Sequence, residues 1–440
     1  MSVGRFTFAS LDQQTHHEVD YEEPDRYQGL YGIDGDQPMI ARGSGLSYVA
    51  ASFGEGVKSV GLRHFNRVLS FEPEERRIRV EAGMTIGALQ AFLVDYGLLL
   101  PVQPGHPEIT VGGCIACNVH GKNQYKEGLF DAWVDEMEVV HPDRGVQRCR
   151  ADDDDPLFRL TCGGYGTTGI ICSAVLRLVP LPSRVIRQKL IRVRSLEETA
   201  DCVQERKEDF DLLYSWNDLS GFGKTYGAGY VLTGVYEDED AMADLDWSSQ
   251  PLDPSRRKAR LPLMNKLSVR SVSRAYHAMM KRSDNKLLSL TRVSYPAAKL
   301  GFYFDLYGNR GFLEHKVLIP LDRYRQYFEK LERLQRDLGE PIPLVSMKVF
   351  RGSSRLVSYD GEGISFTVDV FNSPGGRALL GGLDTIDTDL GAIASVYVDS
   401  RLSAEVVRRQ YPEYEQFKEG VARLDPKRRF RSSLTGRLDL

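Results

Sequence analysis

The sequence predicts an α+β protein of two domains, and three observations carry that expectation. At 440 residues and 42% hydrophobic content, the chain exceeds what one small core needs. Residues 1–183 alternate short β-branched runs with Gly/Pro turns, whereas residues 184–401 run in longer strands and helices. Between them, Pro180 and Pro182 stop a strand and mark the boundary at Leu181-Pro182-Ser183.

In chain order, "RIRVEAG" reads as a strand, and Ile86, Leu89 and Leu93 after it fall on one helical face that exits through Pro101. "DEMEVVHPDRGVQRCRADD" reads as a hairpin turning at Pro142-Asp143-Arg144-Gly145, and "GIICSAVLRLVPLPS" as a strand. Beyond the boundary, "LIRVRS" leads into the helical "LEETADCVQERK", and "YVLTGVY", "SMKVFRG" and "ISFTVDVFN" are strands. "HKVLIPLDRYRQYFEKLERLQRDLG" is a strand followed by a long helix. This order suits an antiparallel sheet covered by helices.

Residues 237–290 pass from an acidic block to a basic one with Pro, Ser and scattered apolar residues, the makeup of a mobile insertion. Its second half mixes Lys and Arg with Leu261, Leu263, Met264, Leu267, Met279 and Met280. That mixture suits either a solvated loop over a substrate site or contact with an anionic membrane surface.

A net charge of -4 and a pI near 6.1 argue against a protein that binds nucleic acid by neutralising phosphates. The N-terminus lacks the pattern of a leader, and no stretch of about 18 apolar residues occurs. A cytoplasmic protein, at most peripheral at the inner face of a membrane, is expected. The six cysteines read as reduced thiols. Cys114 and Cys117 have no second ligand pair at metal spacing, so packing is expected and no metal.

Three glycine-rich turns carry the chemistry: "ARGSGLSY" (41–48), "PVQPGHPEITVGGCIACNVHGKN" (101–123) and "CGGYGTTGIICSAVLRLVP" (162–180). A turn such as the first presents successive backbone N–H groups to phosphate oxygens. The spacing matches neither a nicotinamide fingerprint nor a P-loop. Three such segments, each beside an apolar strand, point to one long ligand with phosphates and a flat ring, a dinucleotide.

Together with "VEAGMTIGALQAFLVDYGLLLPVQPG", these segments resemble, in order and spacing, the FAD-binding domain of the vanillyl-alcohol-oxidase and p-cresol-methylhydroxylase family. With Trp216 in "LYSWND", "GFLEHKVLIP", "MKVF", "DSR" and the terminal "YPEYEQFKEGVARLDPKRRFRSSLTGRLDL", the chain is most similar to the polyprenylphosphoryl-ribose 2-oxidases of that family. The expected architecture is an FAD-binding domain over 1–183, completed by 402–440, and a substrate domain over 184–401.

The resemblance implies that Gly43, Ser44, Gly45, Leu46 and Ser47 hold the FAD pyrophosphate, with Arg42 and Tyr48 beside them. It implies further that Gly105, Thr110, Gly112, Gly113, Cys117, Asn118, His120 and Gly121 line the cofactor, and that Gly166, Gly169 and Ile171 close its pocket. The position where many relatives tether FAD through His reads Gly45-Leu46-Ser47, so the FAD is expected to be noncovalent. His120, Lys348 and Arg423 are the implied catalytic residues, and Trp216, Glu314, Lys316, Lys348 and Thr367 the implied substrate contacts.

Oxidising a secondary alcohol requires a proton acceptor and an orienting cation beside the flavin. The implied reaction is oxidation at C2 of a polyprenylphosphoryl-β-D-ribose to the keto sugar. A separate NAD(P)H-dependent reductase would complete a ribose-to-arabinose epimerisation. The alternatives are an oxidase of soluble alditols, aldonolactones or nucleoside sugars, and a flavin-binding partner of the reductase without turnover.

Overall fold

A computed structural model describes residues 2–223, 225–237, 245–247, 263–296, 298, 305–353 and 355–440. The first domain is built on two sheets. Strands Ser2–Ala9, His16–Glu23, Lys58–Gly61 and Met39–Arg42 form a mixed sheet in that spatial order. An antiparallel sheet follows the order Val68–Glu72, Arg77–Glu81, Ile170–Arg177, Val134–His141 and Gly145–Arg150. The hairpin turns where the sequence places it, with His141 paired to Gly145 at φ 69°. Helix Ile86–Leu93 begins at Thr85, whose hydroxyl accepts the Ala88 N–H, and buries Ile86, Leu89 and Leu93.

The C-terminal segment returns to this domain. The Met39 N–H donates to the Arg429 carbonyl (2.7 Å) and its own carbonyl accepts from Arg431 N–H (3.0 Å). Phe430 thus lies along the outer strand of the mixed sheet.

Residues of the second domain form an eight-stranded antiparallel sheet. Its order is Lys286–Ser289, Val185–Val193, Gly229–Tyr236, Leu212–Leu219, Ile342–Phe350, Gly363–Phe371, Phe312–Ile319 and Ile393–Ala394. Strand alternation sends Leu213, Val231, Val317, Val345, Met347, Phe366 and Val368 to one face, all fully buried. Helices Leu196–Glu205, Tyr324–Leu338 and Pro374–Leu390 cover that face with Ala200, Val203, Phe328, Leu331, Leu379 and Leu383, in one apolar cluster that also takes in Val49, Leu160 and Tyr165 of the first domain. Each large apolar side chain buried there contributes about 1.5–3 kcal/mol. The intervening residues, among them Tyr214, Trp216, Glu314, Lys316, Lys348 and Thr367, emerge on the opposite face.

The region read as a mobile insertion is in part regular structure. Residues 238–244 and 248–262, including Leu261, lie outside the described residues. Val269–Lys281 is a helix that turns Val269, Ser273 and Met280 inward, and Lys286–Ser289 is an edge strand paired with Val185–Val193. The spacing of Val269, Ser273 and Met280 explains the difference, since it makes one buried stripe along the helix. No helix among the described residues is long and apolar enough to cross a membrane. All six cysteines are free. Burial pushes the Cys114 thiol well up and that of Cys117 up to about 12, which suits packing positions.

Candidate active site

The turn after strand Met39–Arg42 has the shape an anion requires. Its Gly45 has φ 73°, a conformation that glycine adopts without strain. The backbone N–H groups of Ser44, Gly45, Leu46 and Ser47 make no hydrogen bond among the described residues. Gly43 and Ser44 are exposed. Open, unspent donors in succession fit a diphosphate. Gly43 is there because a Cβ would stand 2.4 Å from the Thr110 hydroxyl oxygen. Thr110 in turn caps helix Val111–Cys117 by accepting the Gly113 N–H. Arg42 is a prop beneath the turn: it is buried, stacks 3.7 Å from the Phe8 ring centre and donates to the Ser52 hydroxyl.

The same close approach recurs along the second glycine segment. A Cβ at Gly112 would press on Ala82 at 3.1 Å, and one at Gly121 on Asn123 at 2.6 Å. Around Gly105 there is open space. Asn118 ends the helix in a left-handed conformation, φ 43°, and its side chain accepts the Asp131 N–H. That reversal carries His120 across to the open face of the eight-stranded sheet. Two residues implied to close the pocket pack against the sheet. Ile171 is buried in the core of the first domain, and a Cβ at Gly169 would strike Val139 at 2.5 Å. Gly166, at φ 82°, lies against Ile40.

On the open sheet face, Lys316 stands opposite Thr367 and Thr367 opposite Ser346, with Lys348 two residues further along its strand. The Lys316 ammonium reaches His120 Nε2. His120 Nδ1 donates to the Gly121 carbonyl at 2.9 Å, and because a carbonyl only accepts, Nδ1 holds the proton and Nε2 offers a lone pair. Burial, then the charges of Lys316 and Lys348, hold His120 well below its ordinary value, so it is a neutral imidazole. Lys316 is itself depressed, first by burial and then by Lys348, while its rings Tyr359 and Tyr397 lie 5.0 and 5.6 Å away.

A third amine, Lys122, completes the cluster. It donates to the Ser294 carbonyl and lies 5.6 Å from the Tyr214 ring centre. Burial, then Lys348, brings it down to about 7, and burial brings Lys348 down to about 8 although Glu314 opposes this. Glu314 is the carboxylate of the cluster, raised by burial against Lys316 and a hydrogen bond from Tyr48. Tyr48 therefore ties the phosphate turn to the sheet. Three amines around one carboxylate and a neutral imidazole make a partly buried site that favours an anion.

Several expected contacts lie elsewhere. Arg423 is not in the site: its side chain is 77% exposed on helix Tyr414–Leu424 and faces Glu419 at 3.6 Å. The helix turns that position to solvent because Tyr414, Phe417 and Val421 take the inward stripe. Trp216 emerges on the open face but is covered by helix Val269–Lys281, with Tyr276 and His277 rings 4.7 and 4.3 Å away. Lys122 was missed by sequence reasoning, although it stands in the His-Gly-Lys-Asn run two residues after His120. The Tyr48 link and the flanking Tyr359 and Tyr397 carry no local sequence signal.

The chain resembles known flavin-binding proteins in sequence. Residues 34–150 match the model of an FAD binding domain. The chain is 26% identical to decaprenylphosphoryl-beta-D-ribose oxidase of Mycolicibacterium smegmatis, over 92% of this chain and 90% of that protein. It is 32% identical to a D-lactate dehydrogenase of Anaerostipes hadrus over 38% of this chain and 35% of the relative. A human delta(24)-sterol reductase is 29% identical over 41% of this chain and 34% of the relative. The chain is an FAD-dependent oxidoreductase with an FAD-binding domain of the vanillyl-alcohol-oxidase and p-cresol-methylhydroxylase type, similar along nearly its whole length to decaprenylphosphoryl-β-D-ribose oxidase.

Proposed function

We propose that the protein oxidises a secondary hydroxyl of a sugar carried on a polyprenyl phosphate, C2 of the β-D-ribose, to the 2-keto sugar. The observation that carries this reading is the set of partly buried Lys122 and Lys348 and buried Lys316 around Glu314 and His120, a site that favours an anionic substrate. The resemblance to an oxidase that acts on such a sugar supports it.

Bound FAD supplies the acceptor for the hydride that leaves the carbinol carbon. Gly43 to Ser47 would hold its diphosphate, and Gly105, Thr110, Gly112, Gly113, Cys117, Asn118, His120 and Gly121 would line its flavin and adenine side. The chain supplies the proton path. The Lys316 amine, which burial depresses and which donates to His120 Nε2, accepts the hydroxyl proton as the C–H bond breaks, and the neutral His120 holds it in place. Lys348 and Lys122 meet the phosphate, whose charge keeps them protonated. Glu314 and Thr367 orient the sugar hydroxyls. The keto product then calls for an NAD(P)H-dependent reductase as partner.

In this reading residues 1–183 with 402–440 form the cofactor domain, 184–401 the substrate domain, and the protein works beside the membrane that holds its substrate. The test is anaerobic visible absorption of the purified holoenzyme with polyprenylphosphoryl ribose in one arm and free alditols, aldonolactones and nucleosides in another. Bleaching by the phospholipid sugar alone is expected. Bleaching by the soluble sugars alone moves the substrate to that class, and bleaching by none leaves a flavoprotein without turnover.

A further inference from the structure

Helix Val269–Lys281 stands on the open face of the eight-stranded sheet, the face that also carries Lys316 and Lys348. Its Tyr276 and Met280 pack with Trp216, and the segment before it is pinned by Met264, buried with Tyr307, Phe312 and Phe371. With those side chains turned inward, residues 263–287 still present Leu263, Leu267, Val272, Met279 and Leu287 to solvent, five of the twelve large apolar side chains exposed among the described residues. Leu267 is 93% exposed, held out by a turn in which the Asn265 side chain accepts the N–H groups of Leu267 and Ser268 at 2.9 and 3.2 Å. Single exposed apolar residues are ordinary on a protein surface, but a concentration of them marks a place of contact.

Charge is as uneven. Residues 263–283 carry Lys266, Arg270, Arg274, Lys281 and Arg282 and no Asp or Glu, in a chain whose net charge is -4. Lys266 is paired with Glu340, and Arg270 donates to the Ser220 carbonyl at 3.4 Å. The side chains of Arg274, Lys281 and Arg282 make no hydrogen bond or ion pair among the described residues. Helical spacing puts Arg270, Arg274 and Lys281 on one flank of the outer surface and Val272, Ala275 and Met279 on the other. The result is a basic row beside an apolar row.

We infer that this surface docks the protein on an anionic lipid bilayer, with Leu267, Val272 and Met279 entering the headgroup boundary and Arg274, Lys281 and Arg282 among the lipid phosphates. This rests on the reading of the substrate as membrane-held, and names the surface that brings the enzyme to it.

The chemistry selects the partner. An acidic surface without apolar groups would leave the leucines and the methionine against water, and a purely apolar one would cover arginines without a counterion. The interface of an anionic membrane meets both rows at once, phosphates at the basic flank and acyl carbons beneath the apolar one. Docking here sets the open sheet face, and the lysine cluster on it, beside the lipid headgroups.

The experiment is flotation of the FAD-loaded protein with vesicles of phosphatidylcholine alone or of equal parts phosphatidylcholine and phosphatidylglycerol. Partition onto the anionic vesicles is expected, with little onto the neutral ones. Joint replacement Arg274→Gln, Lys281→Gln and Arg282→Gln should weaken it by about 100-fold, since each cation near an anionic surface is worth about fivefold. Joint replacement Leu267→Ser and Met279→Ser should weaken it by about tenfold or more. Both variants should keep the flavin spectrum of the parent.

Equal partition onto the two vesicle types overturns the inference, as does anionic binding that either variant leaves undiminished. Self-association that the serine pair abolishes, without flotation, overturns it as well and gives the surface to a second copy of this chain. Flotation of a protein that polyprenylphosphoryl ribose does not bleach upholds the docking surface and removes the substrate reading. Bleaching of a protein that does not float removes the surface and leaves that reading standing.

Discussion

Replacing His315 by leucine probes the support beneath the site. His315 lies between Glu314 and Lys316 on strand Phe312–Ile319, but alternation points it to the helix-covered face. There its Nε2 is 3.0 Å from Asp387 and its Nδ1 2.8 Å from Asp399, and all three are at most 1% exposed. Tyr327 donates to Asp387 at 2.8 Å, and Arg401 joins Asp399 to Asp384 at 2.7 and 3.0 Å.

Burial alone would discharge the imidazole, yet the two carboxylates outweigh it and raise His315 from 6.5 to about 10. At about 1.36 kcal/mol per pH unit, that rise links charge to folding by on the order of 5 kcal/mol. Breaking a buried pair costs about 3–5 kcal/mol by an independent route. Because the folded-state value is raised, the stabilisation is complete below pH 6.5 and is lost as pH climbs through about 10.

Urea unfolding followed by flavin fluorescence should therefore show His315→Leu less stable by about 3–5 kcal/mol at pH 6.5, with the gap from the parent narrowing toward pH 10. A gap below about 1 kcal/mol at pH 6.5, or one that stays constant with pH, would refute the reasoning. The change should also lower kcat, since the strand that loses its anchor carries Lys316 and Glu314 on its other face.

Three further outcomes are expected. Lys348→Met should lower kcat/KM by about 100-fold, roughly 3 kcal/mol of lost charge-assisted contact, with the flavin spectrum intact in steady-state assays. Arg423→Ala should leave kcat/KM within about twofold and stability within about 0.5 kcal/mol, because an exposed pair with Glu419 contributes little. Gly43→Ala should weaken FAD by about tenfold or more in a fluorescence titration of apoprotein, since its Cβ meets the Thr110 hydroxyl at 2.4 Å.

The sequence is most legible where local chemistry decides. Turn residues fix the hairpin at Pro142 to Gly145, alternation fixes the strands that hold Lys348 and Thr367, and the glycine turns locate the cofactor cradle. It is least legible where distant segments meet. The resemblance puts Arg423 among the catalytic residues, but three-dimensional packing gives the inward stripe of its helix to Tyr414, Phe417 and Val421. Lys122 and His315 acquire their meaning from Ser294, Tyr214, Asp387 and Asp399, partners 72 to 172 residues away. The 263–290 stretch reads as loop because its composition is polar, while a single stripe of three residues is enough to dock it as a helix.

The most direct test of the central claim is an anaerobic titration of the yellow holoenzyme with a short-chain polyprenylphosphoryl ribose, preceded by acid precipitation to separate cofactor from protein. The account predicts that FAD appears in the supernatant and that the phospholipid sugar bleaches the flavin band of the native enzyme stoichiometrically. A protein that takes up no FAD, or whose flavin bleaches only with soluble polyols, would contradict it.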